Sequence, residues 1–185
     1  MFAILAEDRS DAESLVTIVR RLIGTRNQSI RSKGFSGCGE LCRKAGSQIQ
    51  ILAKKGATHF IICHDSDGNE PREIKAKVEA AIREKVRDDH DCCIVVPIQE
   101  IEAWMIADEH AIRRVIPTLS IKAVSNPESV ESPKEWLIGE SRKGRSRPLY
   151  VPTIHNPRVA EYIDLDVLAK KCPAFQPLKQ FVSSI

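Results

Sequence analysis

Aromatic residues are scarce in this 185-residue sequence, at 5%. That excludes an extended platform for stacking nucleic-acid bases. No run approaches the roughly 20 apolar residues of a membrane-spanning helix, so no membrane partner is expected. The start MFAILAEDRSD has no basic stretch and meets Glu7, Asp8 and Asp11 early. It does not read as a signal peptide, and a cytoplasmic location is expected. The 6 cysteines contain no Cys-x-x-Cys pair, which argues against a zinc framework. They read as small buried hydrophobes in a reducing compartment, with a redox role for Cys38 or Cys42, four apart, as the alternative. Charge of one sign is also lacking: 28 Lys+Arg face 25 Asp+Glu, a net of +3. That excludes an overtly basic coat but not a local basic patch. No repeat or low-complexity tract is present.

What is present is alternation. Residues 2–6 (FAILA) form a short apolar run, read as a buried strand. Apolar positions at helical spacing then predict a helix from Asp11 to Ile23, capped by Ser10 or Asp11 and ended by Gly24. Residues 27–33 read as an edge strand, with Gly34, Gly37 and Gly39 in the turn after it. A second helix is expected over 40–55 and a buried strand over 58–64. A charged helix with Ile74, Val78, Ala81 and Ile82 inside runs to Arg87. The next strand covers 92–96, with Cys92 and Cys93 on opposite faces. A helix over 100–115, interrupted near Asp108, closes the pattern. It implies an α/β, doubly wound and mainly parallel sheet covered on both faces. We read residues 1–117 as this core. Residues 118–185, broken by many prolines, read as an extension of short helices packed on it.

Acids follow three of the strands. Glu7 follows the first, Asp65 and Asp67 the third, Glu100 and Glu102 the fourth. Ligand sites in such sheets lie beyond the carboxyl ends of the strands, where strand order reverses. In an order 2-1-3-4, Glu7 would face the Asp65–Asp67 loop across that point. Converging carboxylates repel unless a cation compensates. Mg²⁺ (or Mn²⁺) suits oxygen ligands, and no His/Cys set competes for a softer metal. A plain turn is the competing reading of HDSDG. Glu100 and Glu102 also read as helix-start acids. Two apart on a helix, only one of them is expected to face the site. Trp104 and Met105 are expected in the core.

Glu after a first strand and Asp-x-Asp after a later one resemble the Toprim fold of topoisomerases, primases and overcoming-lysogenisation-type nucleases. The matching stretches are LAEDRSDAESL and FIICHDSDG. GFSGCGEL, VPIQEIEAW, SPKEWL and CPAFQPL resemble a narrower group of small Toprim-like bacterial proteins. Toprim sequences often carry Gly directly after the first Glu, where this chain has Asp8. The resemblance implies metal-dependent phosphodiester chemistry, with Asp65 and Asp67 on Mg²⁺. It makes Glu7 a general base or bridging ligand, and Glu100 or Glu102 part of a second metal site. It further implies a role in phage defence beside an ATPase partner.

A nuclease needs cations for its substrate. Arg31 and Lys33 precede the glycines of KGFSGCGE, and SRKGRSR supplies Arg142, Lys143, Arg145 and Arg147. These are expected to meet a DNA or RNA backbone, the second group from a mobile loop. A solvated surface loop is the plainer reading. Lys134 in SPKEW is a further candidate, either reaching the cleft or merely starting a helix. His64 abuts Asp65 and reads either as a structural residue or as one that touches the site. His59, His90 and His110 read as structural or surface residues. Two other functions remain in play: a phosphotransfer or phosphatase-like Mg²⁺ protein, and a non-catalytic regulatory subunit.

Overall fold

The computed structural model describes residues 1–25, 27–87 and 89–185. Four parallel strands make one sheet: β1 (Phe2–Ala6), β2 (Ile30–Gly34), β3 (His59–Cys63) and β4 (Asp91–Val95), in the order β2-β1-β3-β4. Helices α1 (Arg9–Ile23), α2 (Cys38–Ala53) and α3 (Pro71–Ile82) connect them. The fold is therefore the doubly wound α/β fold that the alternating pattern implies.

The central strands β1 and β3 are buried on both faces, and their side chains alternate between two cores. Phe2, Ile4 and Ala6 of β1 join Ile61 and Cys63 of β3 on one face, against Leu15, Ile18 and Val19 of α1. Ala3, Leu5, Phe60 and Ile62 face the other way, against Leu41, Ile49 and Val78 of α2 and α3. Cys93 packs in the first cluster and Cys92 against the second. All six thiols are free, and burial pushes those of Cys63, Cys93 and Cys172 up. None of these three is poised for redox chemistry.

After β4 the chain forms α4 (Glu102–Ile106) and α5 (Glu109–Val115), divided at Asp108, whose side chain caps α5 by accepting from the His110 and Ala111 N–H groups. The remainder forms α6 (Pro133–Arg142), α7 (Pro152–Ala160), α8 (Leu165–Lys171) and α9 (Gln176–Ser183), with 3-10 turns at Pro127–Ser129 and Pro173–Phe175. These short helices share the first core. Leu137, Tyr150, Val159, Phe175 and Leu178 pack in the same cluster as β1 and α1. Trp104 and Met105 are fully buried there, and Phe175 meets the Trp104 ring edge-on at 5.3 Å. Among the described residues no helix is long and apolar enough to cross a membrane.

Several boundaries differ from the sequence-based expectation. α1 begins at Arg9 rather than Asp11, and its cap is neither Ser10 nor Asp11. Asp8 caps it, accepting from the Asp11 N–H at 2.9 Å. The Asp8 carboxylate thus completes a helix start. β2 covers 30–34 rather than 27–33, and its last residue, Gly34, pairs with Ala6 and lies close against the β1–α1 turn. A Cβ there would sit 2.4 Å from Asp8 and Arg9 backbone atoms. α3 stops at Ile82, and the stretch to Arg87 is turn and irregular chain.

Candidate functional site

The order β2-β1-β3-β4 makes β1 and β3 neighbours at the point where the winding reverses. Their carboxyl ends deliver Glu7 and Asp65 to one place. Glu7 Oε1 accepts from the Asp65 backbone N–H at 2.8 Å. It also lies 2.9 Å from His64 Nδ1. That same nitrogen lies 2.7 Å from the Asp65 carbonyl oxygen. With an acceptor on each side, Nδ1 carries the hydrogen. Burial lowers the His64 pKa, but the hydrogen bonds to Glu7 and to the Asp65 carbonyl outweigh it, and the net direction is up.

The loop after β3 is fastened to the loop after β4. The Ser66 N–H donates to the Pro97 carbonyl at 3.1 Å and the Asp67 N–H to the Gln99 carbonyl at 3.0 Å. The Gln99 N–H donates to Ser66 Oγ at 2.8 Å. Asp67 and Gln99 both hold positive φ, 47° and 62°. Such backbone is uncommon for residues other than glycine and clusters at functional sites. HDSDG is therefore a turn, and it is also a turn that aims two carboxylates. Asp65 is buried; Asp67 is exposed at the mouth.

Glu100 and Glu102 do not divide as helical spacing implies. α4 starts only at Glu102, so Glu100 is free of helix geometry, and both carboxylates turn to Lys134. Lys134 Nζ lies 3.0 Å from Glu100 Oε1 and 3.9 Å from Glu102 Oε1. The Lys134 N–H, at the start of α6, also donates to Glu100 Oε2 at 3.0 Å. Burial pulls the Lys134 pKa down, but Glu102 and Glu100 outweigh it and hold it well above the usual range. Lys134 is thus a helix-start residue whose charge is spent inside the acid cluster. Lys134 therefore both starts a helix and reaches the cleft, the two readings its sequence position left open. Glu102 is 1% exposed and accepts from Asn156 Nδ2 at 3.0 Å. Asn156 in turn accepts from the Tyr150 hydroxyl. The tail thereby supplies Lys134, Tyr150 and Asn156 to a site built on the sheet.

One acid escaped the sequence reading. Asp11, taken there as a cap, is buried at the start of α1. Burial, then repulsion from Asp8 and Glu102, pushes its carboxyl up to about 8, against the pull of Lys134. Asp65 is pushed well above the carboxylate range by burial, then by Asp11, Glu7 and Glu102. Asp67 rises through burial, Glu7 and Glu100. Glu102 rises chiefly through burial, opposed by Lys134.

The remaining candidate cations lie outside this cluster. Arg31 and Lys33 are exposed on β2, with the Lys33 ammonium 5.8 Å from the Phe35 ring centroid. Arg142 closes α6, a rise of about 12 Å along the helix from Lys134. Lys143 pairs with Glu140, Arg145 donates to the Thr118 carbonyl at 3.1 Å, and Arg147 is exposed. His59 and His90 pack against Phe2 and Phe60, and His110 is exposed.

Among the described residues no group of three or more His, Cys, Asp or Glu side chains is drawn together to hold a metal ion. A closed zinc or calcium cage does not fit this site. A Mg²⁺ ion that keeps several waters and takes one or two carboxylates does fit. Asp65 Oδ1 and Glu102 Oε2 are buried hard-oxygen acceptors with no hydrogen-bond partner. Such atoms are costly to bury unless something positive reaches them.

The model of a family described as a domain of unknown function, DUF4276, matches residues 6–182. The chain belongs to that family. No curated protein and no solved structure matches it.

Proposed function

We propose that this DUF4276 protein is a Mg²⁺- or Mn²⁺-dependent enzyme that cleaves phosphodiester bonds in nucleic acid. One observation carries the reading. Asp65 Oδ1 and Glu102 Oε2 lie buried and unpartnered in a cluster whose acids repel one another. Lys134 supplies one positive charge to several carboxylates, so the cluster is short of cations. A metal, when bound, polarises a phosphoryl oxygen and lowers the pKa of an attacking water.

The chain's own residues take separate tasks. Asp65 offers Oδ1 to the cation, and Asp67 stands at the mouth where a substrate phosphate enters. Glu7 is anchored through Oε1 by the Asp65 N–H and His64, which leaves Oε2 to hold metal or accept a proton. His64 orients Glu7 and shields its charge. Lys134 holds Glu100 and Glu102 in place. Exposed Arg31, Lys33 and Arg147 would meet the substrate backbone, giving binding that weakens steeply with salt. The nucleic-acid partner rests on this arrangement. A setting in phage defence beside an ATPase belongs to the proposal through the Toprim-like resemblance.

The test is cleavage of single- and double-stranded DNA and RNA by the purified protein in Mg²⁺ or Mn²⁺. Metal-dependent products that vanish in Asp65→Asn support the reading. Products of equal yield from Asp65→Asn or in chelator would refute it.

A further inference from the structure

Away from the acid cluster, a groove of about 760 Å³ runs along the outer edge of β4. Cys92, Cys93 and Ile94 form its floor. α3 makes one wall, and Pro177, Gln180 and Phe181 of α9 make the other. A second hollow of about 260 Å³ shares Lys75, Ile94 and Pro177 with the first and continues past Val96 and Ile98. Together they run from Cys92 to Ile98.

The floor carries hydrogen bonds to offer. The Asp91 N–H donates to Thr58 and the Val95 carbonyl accepts from His64, both toward β3. By the alternation of a strand, the N–H and C=O groups of Cys92, Ile94 and Val96 point outward. Among the described residues only β3 pairs with β4. The two edges of the sheet are also built differently. β2 displays Arg31 and Lys33 in an exposed run, the usual guard against an added strand. β4 presents half-buried Cys92 and Ile94 with no charge between them. One edge is protected and the other is left receptive.

Charge decides the occupant. Arg72 and Lys75 of α3, with Arg83 and Arg87 beyond it, line the same wall and are exposed. Of the acids there, Glu79 lies 3.9 Å from Lys75 and Glu128 accepts from the Ala174 N–H at 3.0 Å. Asp89 lies 3.1 Å from Arg87. Among the described residues that line the two hollows, cations outnumber acids. A second copy docked edge to edge about a two-fold axis would place both α3 walls on one face, cation against cation. A nucleic acid has no use for open strand groups. We propose that the β4 edge docks an extended acidic segment of a partner protein, which joins the sheet as a fifth strand. This is independent of the chemistry at the acid cluster.

The test uses a fluorescein-labelled eight-residue peptide alternating Glu and Val, with a Lys–Val peptide and a single-stranded oligonucleotide as comparators, read by anisotropy. The acidic peptide should bind saturably and the Lys–Val peptide should not. Arg83→Glu/Arg87→Glu should weaken binding at least tenfold. Ile94→Pro removes an outward N–H without touching the β3 ladder and should do the same. Ile94→Lys, which keeps that N–H but guards the edge, provides a second variant if the first misfolds. No saturable binding, equal binding of the Lys–Val peptide, or unchanged binding by the variants would overturn the proposal. So would oligonucleotide displacing the peptide from the groove, or sedimentation showing a dimer that Ile94→Lys dissolves.

Discussion

The carboxylate of Glu7 accepts a hydrogen bond from the backbone N–H of Asp65 at 2.8 Å, so the ends of β1 and β3 are locked at the sheet's reversal point. The two acids are 58 residues apart in sequence yet act as one unit. Glu7→Gln preserves an acceptor for that N–H, and Asp65→Asn preserves shape. Both variants should fold. Each should cut metal-dependent cleavage by about 100-fold or more, the scale of a lost general base or metal ligand. Gel assays with matched circular dichroism spectra check this.

The crowded acids make stability depend on pH in a definite direction. The Asp11 carboxyl is pushed up to about 8 by burial and then by Asp8 and Glu102. Its unfolded value is about 4. A raised folded pKa means that its contribution is complete below about pH 4 and is lost as pH rises toward 8. Without metal, the melting temperature should therefore fall between about pH 5 and 8. Asp11→Asn should flatten that slope, and Mg²⁺ should raise the melting temperature most at the alkaline end. A slope of the opposite sign in thermal melts contradicts the assignment.

Lys134 joins the tail to the core by charge. Replacing it with Met leaves Glu100 and Glu102 without their cation. A cost of about 1–3 kcal/mol is expected, the scale of a buried polar group left unmet. Lys134→Met/Glu102→Gln should recover part of it, because the second change removes the stranded charge. Urea unfolding of the two variants gives the comparison.

Gly34 lets β2 pass under the turn that carries Glu7. An added Cβ would meet Asp8 and Arg9 backbone at 2.4 Å, and backbone cannot yield as a side-chain tip can. Gly34→Ala should cost about 1–3 kcal/mol, as overpacking does. It should also depress cleavage, since the displaced turn holds Glu7. Melting and cleavage assays on the same preparation separate the two effects.

Much of this was readable in the sequence, for physical reasons. Short apolar runs at Phe2–Ala6 and His59–Cys63 are strands buried on both faces, and such runs are local signals. The acids after them are local too. Helix starts were harder. Asp8, Ser10 and Asp11 all suit a cap, and only the fold decides that Asp8 takes it while Asp11 turns inward. The partnership of Lys134 with Glu100 and Glu102 joins positions more than 30 apart, and no periodicity reports such a contact. The same holds for Asn156, whose neighbours in sequence give no sign that it reaches Glu102.

The central claim is that the buried acids form a divalent-cation site. Anomalous diffraction from crystals soaked in Mn²⁺ tests it most directly. The account predicts one strong peak within about 2.5 Å of a carboxylate oxygen of Asp65 or Glu7, lost in Asp65→Asn. No peak at this cluster under saturating Mn²⁺, with wild-type side chains ordered, would contradict it.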